Sequence, residues 1–261
     1  MNGRTALVTG STDGIGVAIA RTLAAEGAQV IVSGRNAERG EQVVQSILDN
    51  GGVARFAGAD LSSGDGVCAL AAAAGPVDIL VNNAAMLLAP QPTADVPEEI
   101  IDQALTTNVK AVFLLTGLLA PGMADRGSGA IVNVGSINGL VGMAHSALYS
   151  ATKATIHSLT KSWAAEYGPS GVRVNTIAQG RQSPRYWLRT QRPDPAHHRP
   201  RPVAATQHAR TDRSRGRVPG ERQRREHPRR HTVRRRRTLG HLVAACGYKA
   251  PERLGALGRR R

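Results

Sequence analysis

Apolar residues along this chain fall into two kinds of run. Short β-branched stretches at residues 5–9, 29–32, 78–81, 130–134 and 172–177 read as strands. Between them lie amphipathic stretches with helical spacing. In the first of these, Ile15, Ile19 and Leu23 repeat every four residues and the run stops at Gly27, a helix-terminating position. Strand, helix, strand repeated in this way predicts an α/β fold, a Rossmann-like, doubly wound parallel sheet with helices on both faces.

Beyond Ala178 the pattern fails. Neither the period of 2 nor that of 3.6 survives, Pro recurs among Arg and His, and Arg234 to Arg237 form an unbroken basic run. Only residues 239–245 look weakly regular. Such composition cannot bury enough apolar surface to offset chain entropy, which predicts a disordered tail over 179–261 and a folded domain over 1–178.

Charge divides at the same place. The net +15 of the 261 residues suggests a nucleic-acid or anionic-surface partner only if it is spread along the chain. Residues 1–178 hold 10 Lys and Arg against 14 Asp and Glu, whereas 179–261 hold 24 against 5. The tail has Tyr186, Trp187 and Tyr248 but no regular aromatic interleaving, so binding to nucleic acid stays the lesser alternative. Its histidines (His197, His198, His208, His227, His231 and His241) lack ligand spacing, and no metal is implied. Two cysteines and no recognisable leader or membrane-length apolar run make the cytoplasm the expected compartment.

Chemistry concentrates in the first part. The turn Thr9-Gly10-Ser11-Thr12-Asp13-Gly14-Ile15-Gly16 lies where a strand ends and a helix begins, so its glycines let backbone approach a pyrophosphate at the helix N-terminus. Tyr149 and Lys153 are four apart on one helix face. A phenol of ordinary pKa about 10 is a poor acid–base catalyst near neutrality unless a cation stabilises its phenolate, and Lys153 is that cation. After the second strand the chain reads Ser33-Gly34-Arg35-Asn36, without the acid that binds the 2′-hydroxyl of NAD. Arg35 suits a 2′-phosphate, so NADP is favoured over NAD.

The spacing Gly-x-x-x-Gly-x-Gly, followed in order by Asp60-Leu61, Asn82-Asn83-Ala84-Ala85, Thr107-Asn108-Val109, Ser136 and Tyr149-x-x-x-Lys153, resembles the short-chain dehydrogenase/reductase family. Ala85 stands where the family has Gly. The resemblance implies an oxidoreductase that moves hydride between a nicotinamide cofactor and a carbonyl or secondary alcohol, with a beta-ketoacyl reductase as one type. It implies that Tyr149 exchanges the proton with the substrate oxygen, Ser136 hydrogen-bonds that oxygen and Asn108 helps hold a relay water. Lys153 would also hold the nicotinamide ribose. The implied cofactor set is Gly10, Ser11, Thr12, Gly14, Ile15, Gly16, Arg35, Asp60, Leu61, Asn82 and Ala84, together with Tyr149 and Lys153.

After residues 172–177 the family continues with a Pro-Gly turn, a substrate-covering loop, a last helix and a last strand ending Val-Asp-Gly-Gly. Here Gln179-Gly180 follows, and none of the rest is legible. A one-base slip turns arginine codons of the form CGN into GNN, which encode Val, Ala, Asp, Glu or Gly. Synonymous codons for residues 211–239, read one base later, give an apolar helix, a loop and a strand ending Val-Asp-Gly-Gly, the last from Arg234 to Arg237. One inserted base at residues 178–181 restores Ala-Pro-Gly-Pro in the same frame. The expectation is therefore a frameshifted family member whose last helix, last strand and usual oligomer contact are missing. An inactive truncate is the alternative to a working enzyme, since the last strand's loss leaves an open sheet edge.

Overall fold

The computed structural model describes residues 1–180. The expected basic tail, its histidines, the shifted frame and the missing last helix and strand all fall beyond Gly180, outside the described residues. The described chain builds one parallel sheet of six strands: β1 (Thr5–Thr9), β2 (Gln29–Gly34), β3 (Val53–Gly58), β4 (Ile79–Asn82), β5 (Gly129–Val134) and β6 (Val172–Ile177). Their order is β3-β2-β1-β4-β5-β6, which reverses direction between β1 and β4. At such a reversal the helices on either side diverge and leave a crevice at the carboxyl ends of the strands.

Helices α1 (Gly14–Ala25), α2 (Ala37–Asp49), α3 (Gly64–Ala74), α4 (Glu98–Leu105), α5 (Ala111–Asp125) and α6 (Ala147–Tyr167) connect the strands. Alternate residues of the strands face opposite layers. Leu7, Ile31, Leu80 and Ile131 meet Leu70 of α3, Leu115 and Met123 of α5, and Ile156 and Trp163 of α6. Ala6, Val8, Val30, Val32 and Val81 meet Ala20 and Ala24 of α1 and Val43, Val44 and Ile47 of α2.

Three details differ from the sequence reading. Strand β3 is absent from it, because Val53-Ala54-Arg55-Phe56-Ala57-Gly58 is an edge strand whose exposed Val53 and small residues give no buried run. On α1 the buried residues are Gly16, Ala20 and Ala24, one position on from Ile15, Ile19 and Leu23. Small side chains on that face let the helix lie close to the sheet, and Gly27 follows its end with φ +87° as expected. The continuous helical stretch Glu98–Asp125 is long and apolar enough to cross a bilayer, with mean hydropathy 1.3. It is a core helix here, since Leu115, Ala120 and Met123 are sealed against the sheet.

Gly16 sets how near α1 can come. A Cβ there would lie 2.6 Å from Asn83 Nδ2 and 2.8 Å from Ser11 Cα, and nearer still to the Gly10 carbonyl. Two of these neighbours are backbone, which cannot rotate away. Gly16→Ala is therefore expected to lose roughly 1–3 kcal/mol in urea denaturation. Gly64→Ala, where nothing lies within 4 Å, should be neutral or slightly stabilising by comparison.

Candidate active site

The turn after β1 is laced to the turn after β4 across the crevice. Gly10 takes φ +63°, and a side chain there would strike Ala84, with a Cβ 2.8 Å from Ala84 Cα. The Thr9 hydroxyl accepts the N–H groups of Asn83 and Ala84, each at 3.1 Å. Asn83 Nδ2 donates back to the Thr9 and Gly10 carbonyls at 2.9 and 3.0 Å. Asp13 caps α1 by accepting the Gly14 N–H. The helix therefore presents its N-terminal end, with the positive pole of its dipole, to the crevice.

Ser11 and Asn82 take inward roles. The Ser11 hydroxyl donates to the Val8 carbonyl at 2.7 Å and accepts the Ser33 N–H at 2.9 Å, stitching β1 to β2. Asn82 Nδ2 donates to Asn133 Oδ1 and Thr116 Oγ1 beneath the sheet end. Thr12 lies over Gly34, and exposed Arg35 follows β2 at the rim. Asp60 stands near it: the Ser62 N–H, 3.0 Å away, holds its carboxyl below the usual carboxylate range, with the Ser62 side chain and the Arg35 charge adding to the effect.

Four side chains expected to carry chemistry lie on the segments that follow or pack against the ends of β4 and β5. Asn108 occupies a single wide turn, Thr106–Lys110, between α4 and α5, the kind of helical bulge that re-aims a side chain. Its amide grips Met86 from both sides, accepting that residue's N–H at 2.6 Å and donating to its carbonyl at 3.0 Å. Ser136, only 8% exposed, follows β5; its hydroxyl accepts the Asn138 N–H at 3.2 Å. Lys153 reaches from α6 to donate to the Val134 carbonyl at 2.8 Å, and its Nζ lies 5.7 Å from the centre of the Tyr149 ring. Burial pushes the Lys153 ammonium down from 10.5 to about 8.

Two residues outside the sequence-derived set belong to this arrangement. Asn83 holds the glycine turn, and its motif position was the available signal. His157 is buried one helical turn beyond Lys153, with Nε2 2.9 Å from the Ser136 carbonyl. The spacing Tyr149, Lys153, His157 on one helix face could have revealed it.

The short chain dehydrogenase family model matches residues 4–187. Dehydrogenase/reductase SDR family member 4 of Bos taurus is 40% identical over 184 residues, which cover 69% of this chain and 66% of that protein. A solved short chain dehydrogenase/reductase family protein is 47% identical, with a TM-score of 0.65 over 68% of this chain and 74% of the other. The 3-oxoacyl (acyl-carrier-protein) reductase of Agrobacterium tumefaciens C58, solved with NADP bound, is 36% identical with a TM-score of 0.67, covering 72% of this chain and 74% of its own. Family match and sheet order agree, and the chain belongs to the short-chain dehydrogenase/reductase family.

Proposed function

We propose that the chain is an NADP-dependent reductase of ketones, or a dehydrogenase of secondary alcohols in reverse. The observation that carries this reading is the Lys153 ammonium, 4% exposed and on the same helix face as Tyr149. In so dry a place its field is weakly screened, and it favours the phenolate over the phenol. In reduction, Tyr149 gives its hydroxyl proton to the substrate oxygen and becomes that phenolate. Ser136 donates a hydrogen bond to the same oxygen and fixes its position. Lys153 has spent one of three N–H donors on Val134, so two are left for the Tyr149 oxygen and a ribose hydroxyl.

The residues present fit a dinucleotide: Gly10 lets the turn lie against Ala84, Gly16 lets α1 come close beneath it, and at Gly14, where the helix begins, nothing lies within 4 Å of the Cβ position. The α1 N-terminus would hold its pyrophosphate, Arg35 its 2′-phosphate, and Asp60 its adenine. When bound, NADPH supplies the hydride that the carbonyl carbon receives. Substrate walls favour an uncharged carbonyl compound: residues 84–94 and 135–148 contain no Asp, Glu, Lys or Arg, and Leu87, Leu140 and Val141 are exposed there. A beta-ketoacyl type of substrate is in keeping with the Agrobacterium relative.

Residues from about Gln179 onward are, in this reading, written in another frame. The match stops at residue 187, and the residues from 179 onward hold the chain's whole basic excess. Sequencing the gene around the Gln179 codon tests this; an intact frame with no family-like alternative contradicts it. The competing account is a folded but inactive chain, which failure to bind any nicotinamide cofactor would favour.

Two variants test the chemistry. With NADPH absorbance followed over a panel of uncharged ketones, Tyr149→Phe is expected to lower kcat on the order of 10²- to 10⁴-fold. A variant as active as the parent chain would refute the assignment. Arg35→Asp is expected to move the preference toward NADH, lowering kcat/KM for NADPH by roughly tenfold or more, as loss of a charge-assisted contact worth about 1.5–3 kcal/mol implies.

A further inference from the structure

Ser136 lies just past the last paired residues of β5 and β6, Val134 and Ile177. The chain there stays tied to the residues after β6 by the Ile137 N–H, which donates to the Gln179 carbonyl at 3.0 Å, but Ser136 itself makes no ladder bond, and its hydroxyl must be aimed. The Ser136 carbonyl accepts two hydrogen bonds instead. One comes from the Gly139 N–H at 3.0 Å, closing a tight turn. The other comes from His157, whose Nε2 is 2.9 Å away and must carry hydrogen, because a carbonyl only accepts.

The imidazole occupies a slot cut by two glycines. A Cβ on Gly135 would sit 2.6 Å from His157 Cε1, and one on Gly139 would sit 2.8 Å from Cδ2. Both glycines flank Ser136 closely in sequence, so the ring presses directly on the serine's own turn. Helix α6 thus holds the end of β5 at successive turns: Lys153 takes the Val134 carbonyl, His157 the Ser136 carbonyl, and Thr160 the Asn133 amide at 2.8 Å. Tyr149, Lys153 and His157 are spaced i, i+4 and i+8, so the helix that carries the proton donor also carries the grip on the serine.

We propose that His157 is a positioning residue for the reductase reaction, fixing the Ser136 turn so that its hydroxyl meets the substrate oxygen at the distance Tyr149 requires. The proposal rests on the reductase reading above. It assigns His157 no contact with substrate or cofactor, and so separates turnover from cofactor binding. A displacement of the order of 1 Å at a reacting group costs about a hundredfold in rate, so a partly relaxed turn should cost about tenfold.

His157→Leu keeps apolar bulk and removes the N–H, whereas His157→Gln places an amide N–H at the reach of Nε2. In the full chain, His157→Leu is expected to lower kcat about tenfold, leaving KM and the NADPH dissociation constant within twofold. His157→Gln should recover most of that loss. Amide hydrogen exchange gives an independent readout: the Gly139 N–H should exchange faster in the leucine variant and return toward parental protection in the glutamine variant. Unchanged kcat and unchanged exchange in His157→Leu overturn the proposal. Equal losses in both variants, with cofactor affinity falling alongside kcat, also overturn it, since they mark a packing role. If the parent chain turns over no ketone, the reductase reading fails, and exchange at Gly139 alone then decides whether the clamp exists.

Discussion

A protonated amine with almost no exposure to water is the constraint around which this site is built. Lys153 is 4% exposed, and desolvation lowers its pKa from 10.5 to about 8. A displacement of that size corresponds to roughly 3 kcal/mol of lost stability at neutral pH. Both folded and unfolded chains are protonated at Lys153 below pH 8, so the cost is fully present there. Between about 8 and 10.5 the unfolded chain binds the extra proton, and stability rises with pH as the cost is relieved. A buried charge kept at such expense is usually a functional one.

Around that ammonium, side-chain hydrogen bonds tie the strand ends to one another and to the helices. Asn82, Asn133, Thr116 and Thr160 form a chain of buried hydrogen bonds that joins β4 and β5 to the helices beneath them. Asn108 ties the loop after β4 to the middle of the helical stretch, at the one place where its winding loosens. On the cofactor side, Asn83 and Thr9 fasten the glycine turn to the same loop. The two halves of the crevice are thus connected through the residues after β4. A shift there would disturb both the glycine turn after β1 and Asn108.

Much of this was legible in the sequence, for identifiable reasons. Buried strands such as 79–82 and 129–134 announce themselves through continuous apolar runs, and Gly10 and Gly16 stand at positions where a Cβ has no room. Tyr149 and Lys153 share a helix face by spacing, and the ordered set of family-like motifs around them is what singles them out. Strand β3 was hidden because its edge position leaves Val53 and Arg55 outside the core. The inward turn of the Ser11 hydroxyl was equally hidden, since sequence position beside a phosphate loop does not say which way a small side chain points. For His157 the helical spacing after Tyr149 and Lys153 marks the face it shares, but its partner is a backbone carbonyl, and no pair of side chains encodes that bond.

The burial of Lys153 has a directly measurable consequence, a lowered pKa. The chain contains four lysines, Lys110, Lys153, Lys161 and Lys249. An NMR pH titration of the full chain labelled with ¹³C at the lysine ε carbons resolves each, and Lys153→Met identifies the signal of interest. One lysine titrating at about 8, and missing from that variant, is the expected result. Four lysines all titrating near 10.5 would contradict the claim that a desolvated ammonium drives the chemistry of Tyr149.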